Sequence, residues 1–178
     1  MKTKMILFLS ALVMIAGCSL IKDANTIDIS TNITADVPVV VGGVKKSAEA
    51  AGSVSAISFT KTQDLSLSAN ADIEPYLSHI KSINLNTLVV TVNGLSAGQT
   101  INSVSLDVAG VGNVFTQNNI TMSNNSFTPA IGAGVLDNVA AKFTSDKMIT
   151  LTISGSVSGA MSFTVSLNFE TVLTAKIL

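Results

Sequence analysis

Few side chains in this chain are equipped for chemistry. Cys18 is the only cysteine and His79 the only histidine. A histidine base needs a nucleophile beside it and a carboxylate to orient it. Asp72 and Glu74 precede His79 by seven and five residues. Those offsets do not share one helical face, so a metal site built from the three is strained. The other acids, Asp23, Asp28, Asp36, Glu49, Asp64, Asp107, Asp137, Asp146 and Glu170, are mostly isolated along the chain. A carboxylate pair for glycoside hydrolysis would have to be assembled in three dimensions. Sugar clefts are commonly built with aromatic rings, and this chain has no Trp and a single Tyr. Gly132-Ala133-Gly134 has the start of a phosphate-binding turn, but Asp137 stands where the third glycine belongs and its charge repels phosphate. Calcium loops of the Asp-x-Asp-x-Asp type are absent. The triplets beginning at Asn32, Asn119 and Asn124 match a glycosylation acceptor, as chance allows in a chain rich in Asn, Ser and Thr. The expectation is a protein without catalytic residues, metal or cofactor.

The chemistry of Cys18 depends on what precedes it. Lys2 and Lys4 open the chain, an apolar run follows from Met5 to Ala16, and Ile15-Ala16-Gly17-Cys18 closes it. The run is shorter than the ~20 residues that cross a bilayer, and it fits the ~7–15-residue core of a secretory signal. The last four residues resemble the lipobox of bacterial lipoproteins, a match confined to residues 1–18. That resemblance implies removal of residues 1–17, acylation of Cys18 as a thioether, and a membrane anchor there. The lone thiol is then neither nucleophile nor disulfide partner. Ser19, where an Asp would favour inner-membrane retention, points to the outer membrane. Residues 18–26 become a lipidated tether, with the stretch after Cys18 spanning about 25–30 Å when extended.

The formal charge of the whole chain is −1, and loss of Lys2 and Lys4 lowers it by two. Every basic residue is Lys, and charged residues make up 12%, against the usual ~25%. A nucleic-acid surface needs clustered Lys and Arg. Downstream of Cys18 only Lys45-Lys46 pair up, which excludes that class of partner. Ser, Thr and Asn must cover the surface instead.

The body reads as β. Ile149, Leu151, Ile153 and Val157 alternate with Thr and Ser, as do Met161, Phe163, Val165, Leu167 and Phe169. Period 2 gives each strand one buried and one polar face. Gly155 to Gly159 is expected to turn the chain between the two runs. The pattern recurs at 27–33, 57–59, 65–67, 88–92 before Asn93-Gly94, and 104–108. Short strands are expected at Val114-Phe115 and Ile120-Met122, around an Asn118-Asn119 turn. Helical spacing appears over Asp72 to Lys81, with Asp72 as N-cap, and over Gly134 to Phe143. Residues 42–53 read as a loop or a brief helix.

Eight to ten short strands fit one antiparallel β-sandwich over residues 27–178, mainly β, with one or two short helices at its corners. Its Ser/Thr-rich strands resemble the small immunoglobulin-like sandwiches of envelope lipoproteins. The resemblance implies a lipid-anchored, non-catalytic cell-envelope protein that works through protein contacts, in adhesion or assembly. The apolar content of 47% also fits a carrier of an apolar small molecule or lipid between the sheets.

Overall fold

The computed structural model describes residues 25–42 and 56–177. Eight strands form: β1 (Thr26–Val41), β2 (Ile57–Ser66), β3 (Ile80–Asn93), β4 (Ile101–Val108), β5 (Gly112–Ile120), β6 (Ser126–Phe127), β7 (Met148–Val157) and β8 (Met161–Lys176). Among the described residues one α-helix, α1 (Val135–Asp146), precedes β7. Two four-stranded antiparallel sheets result, ordered β1-β8-β3-β6 and β2-β7-β4-β5. The antiparallel sandwich expected from the alternation is the observed fold.

The strand order refines it. β1 pairs with β8, β2 with β7, β3 with β6 and β4 with β5. The chain is thus one long hairpin of paired strands, rolled until it closes into two sheets. That is the jelly roll, a sandwich architecture distinct in order from the immunoglobulin one.

Alternation positions the core. Ile33, Ala35, Val37, Val39 and Val41 of β1 face inward, as do Phe163, Val165, Leu167 and Phe169 of β8. Pro38 points outward and is tolerated because β1 is an edge strand, which can spare an N–H. Phe59 of β2 meets Phe163 of β8 edge-on, with ring centroids 5.4 Å apart. Phe115 and Phe127 make a second such contact at 6.1 Å. Both pairs tie one sheet to the other, and each buried ring contributes about 1.5–3 kcal/mol. Lys61 shares the inward parity of Phe59 and Leu65 yet stays exposed. A charge on the inner side of an edge strand disfavours pairing with a second molecule.

The turn expected at Gly155 lies later, at 158–160, and Gly155 sits inside β7. It faces inward opposite Phe59. A Cβ there would lie 2.0 Å from the Ser103 carbonyl oxygen and 2.9 Å from Phe59 Cζ, so glycine is needed for the close approach of β4. The two short strands expected around Asn118-Asn119 are a single strand, β5, and Asn119 takes a left-handed φ of 56° near its end.

The helix expected over Asp72 to Lys81 is a 3₁₀ helix, Glu74–His79. Asn70, not Asp72, organises its entry: its Oδ1 accepts from the Asp72 and Ile73 amides at 2.9 and 3.3 Å. Asp72 instead accepts from Thr31 Oγ1 at 2.9 Å. Ile73 is fully buried and Ile80 already belongs to β3, which leaves no length for an α-helix. The second helical segment is α1. Val139, Ala140 and Phe143 bury its inner face, and it packs on β3 and β7, one strand from each sheet. It ends where Lys147 turns left-handed (φ 60°) and donates its N–H to Phe143 O at 3.0 Å.

Candidate functional site

Cys18 and the whole of 1–24 lie outside the described residues, as does the segment 43–55. His79 is described. It is half-buried at the end of the 3₁₀ helix and has no side-chain hydrogen bond or ion pair among the described residues. Glu74 is exposed and Asp72 is turned to Thr31, so the three do not converge. No group of three or more His, Cys, Asp or Glu side chains is placed to hold a metal among the described residues. Asp137 lies in the first turn of α1, where it complements the helix dipole, and Gly134 enters the helix with a φ of 76°.

One chemical signal escaped the expectation. Gly94-Leu95-Ser96-Ala97-Gly98 has the spacing of a nucleophile elbow. That motif works at a strained turn from strand to helix. Here it follows β3 and leads through irregular chain into β4. Its Ser96 amide is held by Gln99 Oε1 at 2.9 Å. His79 stands at the opposite end of the fourteen-residue β3, about 45 Å away at ~3.3 Å per residue. No base reaches Ser96, and the motif is a polar turn.

The molecule does have two unlike ends. β1 and β8 each run sixteen residues, roughly 50 Å, from the Thr26–Lys176 pair to the Val41–Met161 pair. At the Thr26 end lie Asp72, Glu74, Asp137, Lys142, Asp146, Lys147 and Lys176. At the other end, among the described residues, are the connections 94–100, 121–125 and 158–160, and none of them contains a charged residue; the chain between Val41 and Ile57, which also leaves from this end, holds Lys45, Lys46 and Glu49 within 43–55, outside the described residues. Val40 and Met122 are exposed there, at 71% and 61%.

These uncharged connections are held in place by hydroxyl and amide side chains. Thr100 N donates to Ser158 Oγ at 3.1 Å, and Ser158 N donates to Thr100 O at 2.9 Å. Asn124 Oδ1 accepts from Thr121 N at 2.6 Å and from Thr121 Oγ1 at 2.8 Å, closing a capping box. Asn124 Nδ2 donates back to Asn119 O at 3.0 Å. Between 97–100 and 121–123 opens a shallow depression of about 390 Å³. Its size is that of a small ligand site, it is open, and its lining carries no titratable group.

No known family matches the chain, and no curated protein matches it. Among solved structures, a chain titled Desmodium yellow mottle tymovirus is similar at 12% identity, covering 84% of this chain and 90% of that one, with a TM-score of 0.35. A likeness at that score carries no inference. The class is defined by the structure itself, as a jelly-roll β-sandwich with a charged base and, among the described residues, uncharged connections at the opposite end.

Proposed function

We propose that this is a lipid-anchored, non-catalytic protein of the bacterial cell envelope, held at the outer membrane through Cys18, that presents the end bearing 94–100, 121–125 and 158–160, its apex, to a protein partner. One observation carries the reading: β1 begins at the charged end of the sandwich, so a tether ending at Thr26 leads into the base and leaves the apex about 50 Å beyond it. The connections 94–100, 121–125 and 158–160 contact the partner through shape, hydroxyls, amides and the side chain of Met122, with Val40 beside them. The interior is filled by side chains such as Leu106, Phe143, Leu151 and Phe169, which supports a scaffold over a carrier with a ligand between its sheets.

The test uses the full chain expressed in a bacterium with two membranes. Labelled palmitate is incorporated into the wild type, and Cys18→Ser abolishes both the label and membrane fractionation. A photo-crosslinker at position 122 captures an envelope protein, whereas one at position 74, at the base, does not. Unchanged labelling of Cys18→Ser overturns the anchor. Equal capture from both positions overturns the apex as the contact surface.

A further inference from the structure

Asn93 stands at the apex end of β3, exposed, and is followed by Gly94. It is the only Asn-Gly pair in the chain. Gly94 has a φ of 93°, and its N–H finds no acceptor among the described residues, because the chain leaves the ladder at this point. The neighbouring Val92 N–H, by contrast, is bonded to Asn125 O at 2.7 Å. Asn93 is held only through its amide: Nδ2 donates to Ser166 Oγ at 3.2 Å, and Ser166 Oγ donates to Asp36 Oδ1 at 2.6 Å.

We propose that Asn93 is a site of spontaneous deamidation, which places a second carboxylate beside that of Asp36. The Gly94 nitrogen loses its proton to hydroxide and attacks Asn93 Cγ. The new N–Cγ bond forms, the Cγ–Nδ2 bond breaks, and the amide group leaves as ammonia. Water then opens the succinimide to aspartate or isoaspartate, with no oxidation or reduction. Glycine favours the attack because no Cβ shields its nitrogen, and an unpaired N–H loses no hydrogen bond on reacting. Asn102 and Asn118 lie within the β4–β5 ladder and lack a following glycine.

The product reverses the local bonding. Asn93 donates to Ser166, whereas a carboxylate at 93 can only accept. Ser166 has one proton, already given to Asp36, so the new charge sits unpaired near the Asp36 carboxylate across the β1-β8-β3 rungs. The isoaspartyl form adds a backbone carbon beside the Asn93–Thr164 pair and loosens the end of that ladder.

Purified full-length protein, incubated at mildly alkaline pH under native conditions, decides the matter. Peptide mass spectrometry with fragmentation that separates aspartate from isoaspartate is read at every Asn. Conversion at Asn93 should exceed that at all other positions, and Asn93→Gln should remove it. A native sample intact at Asn93, while a urea-unfolded sample converts there, overturns the proposal. So does conversion that falls mainly on other asparagines.

Discussion

Gly155→Ala tests the spacing of neighbouring strands in the β2-β7-β4-β5 sheet at one atom. The added Cβ would sit 2.0 Å from the Ser103 carbonyl oxygen and 2.9 Å from Phe59 Cζ. Non-bonded heavy atoms prefer about 3.5–4 Å, so β4 and β7 must separate by more than an ångström at this rung. Separation loosens the adjoining Ser103–Ser156 hydroxyl contact of 3.1 Å, worth about 1 kcal/mol. Overpacking of the core adds roughly 1–3 kcal/mol. The total of about 2–4 kcal/mol is a large share of a stability of ~5–15 kcal/mol. With a urea slope of ~2 kcal/mol/M, the midpoint should fall by about 1–2 M at unchanged slope. Far-UV circular dichroism is the assay, since the chain lacks Trp. Gly159→Ala is the control: nothing lies within 4 Å of its Cβ, and its stability should stay within about 0.5 kcal/mol of wild type. Combining Gly155→Ala with Phe59→Leu should not restore stability, because the nearest obstacle is backbone. A loss below about 1 kcal/mol for Gly155→Ala would refute the argument.

Phe143→Ala empties the inner face of α1 where it meets β3 and β7, and should cost about 3–5 kcal/mol by thermal or urea unfolding. Asn168 carries a buried Oδ1 without a partner among the described residues, so Asn168→Leu, close in shape, should hold or raise stability by up to about 1 kcal/mol in the same urea assay. The Lys142 ammonium, bonded to Asp146 at 2.7 Å, and then the Ser145 hydroxyl, hold the Asp146 carboxyl below its ordinary pKa. Its contribution is therefore present above the unfolded-state pKa of about 4 and is lost as pH falls through the lower folded value. Lys142→Met should move the Asp146 carbon chemical-shift titration upward, and an unmoved curve would break the assignment.

The strands were legible because burial and polarity alternate with period 2 at Ile149 to Phe169, and no other local pattern competes there. Boundaries were less so. Gly155 carries the chemistry of a turn, yet its missing side chain serves a contact with Ser103, fifty-two residues earlier, which local pattern cannot show. The helical spacing at Ile73, Tyr76, Leu77 and Ile80 was real, but burial of Ile73 and the start of β3 limited it to a 3₁₀ helix. β6 is two residues long and exists only by pairing with Val90 and Thr91, so sequence held no sign of it. Strand order is likewise a property of long-range pairing. Of the candidate site, the lack of convergence around His79 was readable from its spacing. The lack of charge in 94–100 and 121–125 was present in their composition, but only the fold brings those segments to one end.

The position of β8 fixes when this chain can fold. β8 lies between β1 and β3, and β6 touches β3 over only two residue pairs. Until β8 arrives, β1 has no neighbour in its sheet and β3 has almost none. Partners such as Asp28 and Thr174 are separated by 146 residues and must find each other across nearly the whole body. Closing so long a loop is slow, and the contacts that reward it come last. A chain with this topology can complete the β2-β7-β4-β5 sheet before its end is made, but the other sheet waits for its last strand.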